Sequence, residues 1–290
     1  MNLIDIASYQ GGMVLKIMFD RNPSLDGVIV KLTQGTSFVT PQAKDWLDWL
    51  VSNNKPFGLY HYLDLYGAEA EAQHFAAKAK PYIGKCPLAI DYEANTIRMG
   101  TGYLKKCLDE VYRLTGVKPF VYVSQSFIAT QDFGAIVSAG YPLWMAQYAD
   151  MNPVHGFKEN PWQKGSFSPW QKITMQQYTS CGYLEGWGHN LDFDLFHGNV
   201  EDWTALAKGK DAPDTNLKPA DPSIVLAVLK NQYGIESDNP SRSSRLREAG
   251  YDPESVQSKI NQLYGISSKV KKDIGNDMSY LNSILWIVRS

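Results

Sequence analysis

The sequence predicts an α/β protein: an irregular (β/α) barrel followed by a small all-α helical module. Three observations carry that expectation. Eight short β-rich runs recur before residue 200, amphipathic helical patterns separate the early ones, and the composition changes abruptly near residue 209. The chain has 290 residues, 44% of them hydrophobic, enough for one large domain and one small one. Seven of the eight tryptophans (Trp46, Trp49, Trp144, Trp162, Trp170, Trp187 and Trp203) precede residue 210 and only Trp286 follows it, so the first part carries the richer binding surface.

In chain order the strand candidates are NLIDIA, GVIVKLT, PFGLYHYL, PLAIDYE, PFVYVS, PLWMAQY, ITMQQY and NLDFDLF. Helical patterns at 41–53, 68–82 and 102–115 fall between the early ones. The first five repeat as strand then helix, which implies parallel strands with right-handed crossovers. Loops join the last three, hence the irregular second half. In such a barrel the chemistry sits at the carboxyl ends of the strands. The barrel is expected to span 1–208. From Lys208 the stretch KGKDAPDTNLKPADP loses apolar periodicity and reads as a linker over 209–222. Residues 223–265 give three short helical patterns, with Asn239 or Asp252 as caps, Pro240 and Pro253 in first turns, and Gly234, Gly250 and Gly265 as stops. A further helix is expected over 266–290. Its stripe of Val270, Ile274, Met278, Leu281, Leu285 and Val288 must be buried on the module or against a second chain, which raises a homodimer as a possibility.

Composition narrows the function. No apolar run approaches the roughly 18 residues of a membrane span. A net charge of −2 without a basic block removes the electrostatic footprint of a nucleic-acid binder. Cys86, Cys107 and Cys181 lie far apart, without the spacing of a disulfide framework or zinc site. His74, His155, His189 and His197 have no metal-ligand spacing, and HExxH, GxSxG and phosphate-cradling loops are missing, so neither metal nor cofactor is expected. The start MNLIDIASYQ places Asp5 and Gln10 where a secretory signal needs a basic start and an apolar core. A cytosolic origin is expected, and a target outside the cell then requires a separate membrane-permeabilising protein.

Acidic residues carry the chemical signal. In PLAIDYE, period-two alternation puts Asp91 and Glu93 on one face at a strand end. The first strand carries Asp5 and the last carries Asp192 and Asp194, again i, i+2 neighbours. Like charges brought together raise one another's pKa, so one carboxyl stays protonated as an acid while others remain anionic. Glycoside hydrolysis requires that division. Tyr62, Tyr92, Tyr122, Trp144, Gln147 and Tyr178, on or near strand ends, offer aromatic faces and amides to pyranose rings. His61 fits the same groove, or equally a hydrogen-bonded core position.

The ordered motifs DIASYQG, VKLTQGTSFVTP, GLYHYL, LAIDYE, PLWMAQY, MQQYTSCG and LDFDLFHG resemble glycoside hydrolase family 25, the lysozymes of many phages and bacteria. Met175-Gln176 stands where the family usually has a tryptophan, and Asp194 where it usually has asparagine. The resemblance implies an N-acetylmuramidase cutting the β-1,4 bond from N-acetylmuramic acid to N-acetylglucosamine in peptidoglycan. It also implies Glu93 as proton donor, with Asp5, Asp91 and Asp192 completing the acidic cluster. Substrate-assisted attack by the 2-acetamido group, oriented by Asp91 or Asp192, and inversion with Asp192 or Asp5 activating water both stay open. The stretch RLREAGYDPESVQSKIN resembles the cell-wall-binding repeat of choline-independent phage lysozymes, which implies wall contacts at Arg245, Tyr251, Asp252 and Gln257. Together these imply an endolysin, with a bacterial autolysin or a non-catalytic peptidoglycan-binding barrel as alternatives.

Overall fold

The computed structural model describes residues 1–209, 218–235, 242–253, 255–257, 259–260 and 263. Its chain divides into two compact units, Met1–Ala212 and Pro213–Ser290. The first unit holds ten strands: β1 (Asn2–Ile6), β2 (Gly27–Gln34), β3 (Phe38–Val39), β4 (Phe57–Tyr62), β5 (Leu88–Asp91), β6 (Phe120–Ser124), β7 (Leu143–Ala146), β8 (Val154–His155), β9 (Met175–Tyr183) and β10 (Leu191–Phe196). Eight close into a barrel in the order β1, β10, β9, β7, β6, β5, β4, β2, with β2 returning to pair with β1. They are the eight strands read from the sequence; β3 and β8 are short flanking additions. Helices α1 (Leu15–Arg21), α2 (Ala43–Ser52), α3 (Ala68–Ala79), α4 (Thr101–Thr115), α5 (Gln125–Ile128), α6 (Gly134–Ser138) and α7 (Val200–Ala207) complete the unit.

Seven barrel strands run parallel. β10 alone runs antiparallel to both neighbours, β1 and β9. This corrects one expectation. Asp192 lies at the beginning of its strand, and reaches the mouth because a reversed strand starts where its neighbours end. The register shows it directly, pairing Asp5 of β1 with Asp192. Register shifts between β10 and β9 at 191/193 and 193/194 bend the strand there.

Alternation along each strand sorts the apolar residues into two layers. Ile4, Ile6, Val28, Val30, Leu59, Ile90, Val121 and Leu143 face outward into the core beneath the helices. Leu3, Ile29, Tyr60, Ala89, Phe120, Trp144, Met175 and Phe196 fill the barrel interior. Trp203 of α7 plugs the far end, its ring against Phe120 and Phe196 and its Nε1 donating to the Phe57 carbonyl at 3.0 Å. An indole buries about 150–250 Å², which at about 25 cal/mol per Å² contributes roughly 4–6 kcal/mol before entropy is counted. α7 can sit there because Asn199 caps it: Asn199 Oδ1 accepts from the Asp202 amide and Asp202 Oδ2 from the Asn199 amide. With one end plugged, the interior opens only toward the carboxyl ends of the parallel strands.

In the second unit, α8 (Pro222–Leu229) starts with Asp221 as cap and Pro222 in the first turn. α9 is Arg242–Glu248, and Pro253, 255–257 and 259–260 are helical. Ile224, Val225, Val228, Leu246, Val256 and Ile260 form one small core. Lys218 bridges Tyr251, and Ala220 donates its amide to Ser255, so the unit begins inside the stretch read as a linker. The helix and pairing surface expected over 266–290 lie outside the described residues.

Candidate active site

Three strands deliver four carboxylates to the open end. Asp5 is the inward residue one layer above Leu3 on β1, and Asp91 is the last residue of β5. Glu93 follows in extended backbone at φ −151°, which keeps it on the Asp91 face. Ala94 then turns the chain away at φ +47°, a left-handed conformation worth on the order of 1–3 kcal/mol of strain for a non-glycine residue. That turn leaves Glu93 at the lip. Asp192 enters from β10. Asp5, Asp91, Glu93 and Asp192, with Tyr60, Tyr122, Trp144, Tyr148 and Gln177, line a polar cavity of about 130 Å³.

One hydrogen-bond network fixes the floor. Gln177 Nε2 donates to Asp5 Oδ2 at 2.6 Å, and Gln177 Oε1 accepts from the Tyr122 hydroxyl at 2.8 Å and from the Tyr148 hydroxyl. Trp144 Nε1 donates to Asp194 Oδ1 at 2.8 Å. Asp91 Oδ1 is buried with no donor among the described residues. Lys31 faces Asp91 and Glu93 from β2; its Nζ donates to Gln34 and lies 4.4 Å from the Tyr62 ring centroid.

Burial dominates the electrostatics. It pushes Asp5 up to about 6 against the Gln177 bond that favours its anion. Asp192 is pushed up to about 8, by burial first and by Asp5 and Glu93 after it. Burial and Glu93 raise Asp91, and burial raises Glu93, with Lys31 opposing. The cluster titrates as a unit, and near neutrality it holds protons and anions together. A carboxyl whose folded pKa lies above its unfolded value favours folding most at low pH, and that contribution is lost as pH rises from the unfolded value of about 4 through about 8 for Asp192. Asp192→Asn should therefore unfold at a higher temperature than the parent at pH 8, the difference shrinking toward pH 4, at about 2–4 °C per kcal/mol for a domain of this size. Melting curves across that range check it; a difference that grows toward acid pH refutes it.

The other sequence-named residues divide. Tyr122 lines the cavity and Tyr62 stands beside it under Lys31. Four are placed elsewhere. His61 is fully buried on the outer face, where its Nδ1 meets Thr33 Oγ1 at 2.8 Å and its Nε2 meets Glu71 Oε2 at 3.1 Å. Glu71 also accepts the Asp64 and Tyr66 amides, so His61 braces the loop after β4. Tyr92 is fully buried outside the barrel, donating to the Ile97 carbonyl and to Gln131. Tyr178 packs outward against Phe193 and accepts from the Lys158 amide. Gln147 clamps the Lys164 backbone with both ends of its amide, holding the loop after β7. Tyr60, Tyr148, Gln177 and Lys31 are site residues that sequence reading passed over; a lysine on an otherwise apolar strand was the same kind of signal as Asp91.

In the second unit, Arg245 donates to the Tyr233 carbonyl, Tyr251 to Asp221, and Arg242 to Gln257, while Asp252 accepts the Ser255 amide. All four residues named there make bonds within the unit.

A barrel whose open end gathers several carboxyls of unequal acidity, walled by tyrosines and an amide, defines a glycoside hydrolase. Comparison with known proteins gives the family. The sequence profile of glycosyl hydrolases family 25 matches residues 4–187, and the chain belongs to that family. The lysozyme of Streptococcus phage Cp-7 is 25% identical over 270 residues, covering 90% of this chain and 69% of that protein. The autolytic lysozyme of Clostridium acetobutylicum is 26% identical over 244 residues, covering 81% and 67%. Among solved structures, the bacterial lysozyme of Streptomyces coelicolor superposes with a TM-score of 0.59 at 18% identity, covering 71% of this chain and 96% of that one, which speaks to the fold.

Proposed function

We propose that this glycoside hydrolase, a lysozyme acting on peptidoglycan, uses Glu93 as the acid that protonates the departing glycosidic oxygen between N-acetylmuramic acid and N-acetylglucosamine. The observation that carries the reading is the position of Glu93. It is the cluster carboxyl at the lip, its pKa raised by burial with Lys31 opposing. Asp91, deeper, lining the cavity and with one buried oxygen that has no donor among the described residues, orients the substrate's 2-acetamido group. Asp5 and Asp192 supply the remaining charge under the anomeric carbon. A general acid contributes roughly 10² to 10⁴ in rate, and oriented charge adds to it.

A phage-type endolysin is the biological setting we favour. The likeness to the Cp-7 lysozyme covers 90% of this chain and so extends past the barrel, while the resemblance of RLREAGYDPESVQSKIN to a cell-wall-binding repeat supports reading the second unit as a wall-binding module. Tethering raises the effective concentration of the barrel at the wall without new catalytic contacts. Host lysis through a separate membrane-permeabilising protein belongs to the same proposal. Among the described residues no helix is long and apolar enough to cross a membrane. Mass spectrometry of digested peptidoglycan tests the bond assignment: muramic acid is expected at the new reducing ends, and glucosamine there would overturn it.

A further inference from the structure

Asp194 is the one carboxyl of the cluster that substrate cannot touch. It is fully buried, one layer below Asp192 on β10, opposite Leu3 of β1 and Gln177 of β9. Its Oδ1 is taken by the Trp144 indole N–H, while Oδ2 has no donor among the described residues. Yet the side chain is within hydrogen-bonding reach of the Asp5 carboxyl. The titratable groups facing it are Asp5 from β1, Asp192 from its own strand and Tyr148 beyond β7; Tyr178 of β9 lies near but on the outer face. None of them is a cation. Two carboxyls in contact without a cation are held together only by a shared proton.

We infer that Asp194 is a positioning residue that acts as a neutral acid, donating its proton to Asp5 and fixing the orientation of that carboxylate toward the mouth. Asp5 then receives two donors, the Gln177 amide and the Asp194 hydroxyl, and its anion is favoured over that of Asp192. Burial and the neighbouring Asp5 raise Asp194 well above the ordinary carboxylate range, in the direction this role requires. Trp144 sets the rotamer by occupying the other oxygen, so the proton has one place to go.

The inference rests on Asp5 belonging to the working cluster, and its test is arranged to separate the two. Infrared difference spectra of the parent minus Asp194→Asn at neutral pH should show the loss of a protonated carboxylic acid band; loss of carboxylate bands instead would overturn the inference, whatever the chain hydrolyses. On purified peptidoglycan, the Asn variant keeps a donor toward Asp5 and an acceptor for Trp144. Its kcat should stay within about threefold of the parent at the optimum, with the alkaline limb moved to higher pH, while Asp194→Ala loses at least about tenfold in kcat/KM. An Asn variant as impaired as the Ala variant, or an unmoved alkaline limb, would overturn it.

Discussion

Glu93→Gln should slow hydrolysis of peptidoglycan by at least about a hundredfold while leaving the fold intact. Glutamine keeps the volume and the polar end of the side chain but has no proton to give to a leaving oxygen. The backbone that sets the position, extended at Glu93 and left-handed at Ala94, does not depend on the carboxyl. Removing an acidic group from a cluster in which Asp91 and Asp192 are both raised by Glu93 also relieves repulsion, so the variant should melt no lower than the parent. Turbidity clearing of wall suspensions and reducing-sugar release measure the rate, and a melting curve verifies the fold. Near-normal lysis by a folded variant would move the acid role to another carboxyl, with Asp192 first in line because its pKa is pushed up to about 8.

How much of this site was legible follows from what period-two alternation encodes. It places Asp91 with Glu93 and sets Asp5 above Leu3, because each pair is local to one strand. Applied strictly, it also rejects three residues that chemistry alone had nominated. Tyr92 lies between two inward acids, His61 between inward Tyr60 and Tyr62, and Tyr178 beside inward Gln177, so all three point outward into the core. Their partners, Gln131 for Tyr92, Glu71 for His61 and the Lys158 amide for Tyr178, come from other elements, and no local pattern announces them. Strand direction was equally hidden. A strand reads the same on both faces whichever way it runs, and the reversal of β10 follows from a loop of seven residues between Tyr183 and Leu191 turning the chain back beside β9. The floor network had no sequence signature, since Gln177 is one of two adjacent glutamines and only the register distinguishes the one that reaches Asp5.

The remaining large effect concerns Asp91. Asp91 lines the cavity and its buried Oδ1 has no donor among the described residues, so the carboxylate is left to accept a bound N–H. The 2-acetamido group beside the anomeric carbon carries such an N–H, and accepting from it turns the carbonyl oxygen toward the carbon and stabilises positive charge as the ring forms. Asp91→Asn replaces the anionic acceptor with a neutral amide and should lower kcat/KM on N-acetylated glycan by about 10² or more, with most of the loss in kcat. De-N-acetylated glycan supplies the control. The parent should cleave it slowly, and Asp91→Asn should slow it little further, because the group that Asp91 orients is already gone. Products from the parent should keep the anomeric configuration when followed by NMR. An equal penalty from Asp91→Asn on both glycans, together with inverted products, would mean that Asp91 acts without the acetamido group. Water activation by Asp192 or Asp5 would then be the path, and the Asp91 carboxylate would serve the charge of the cluster instead.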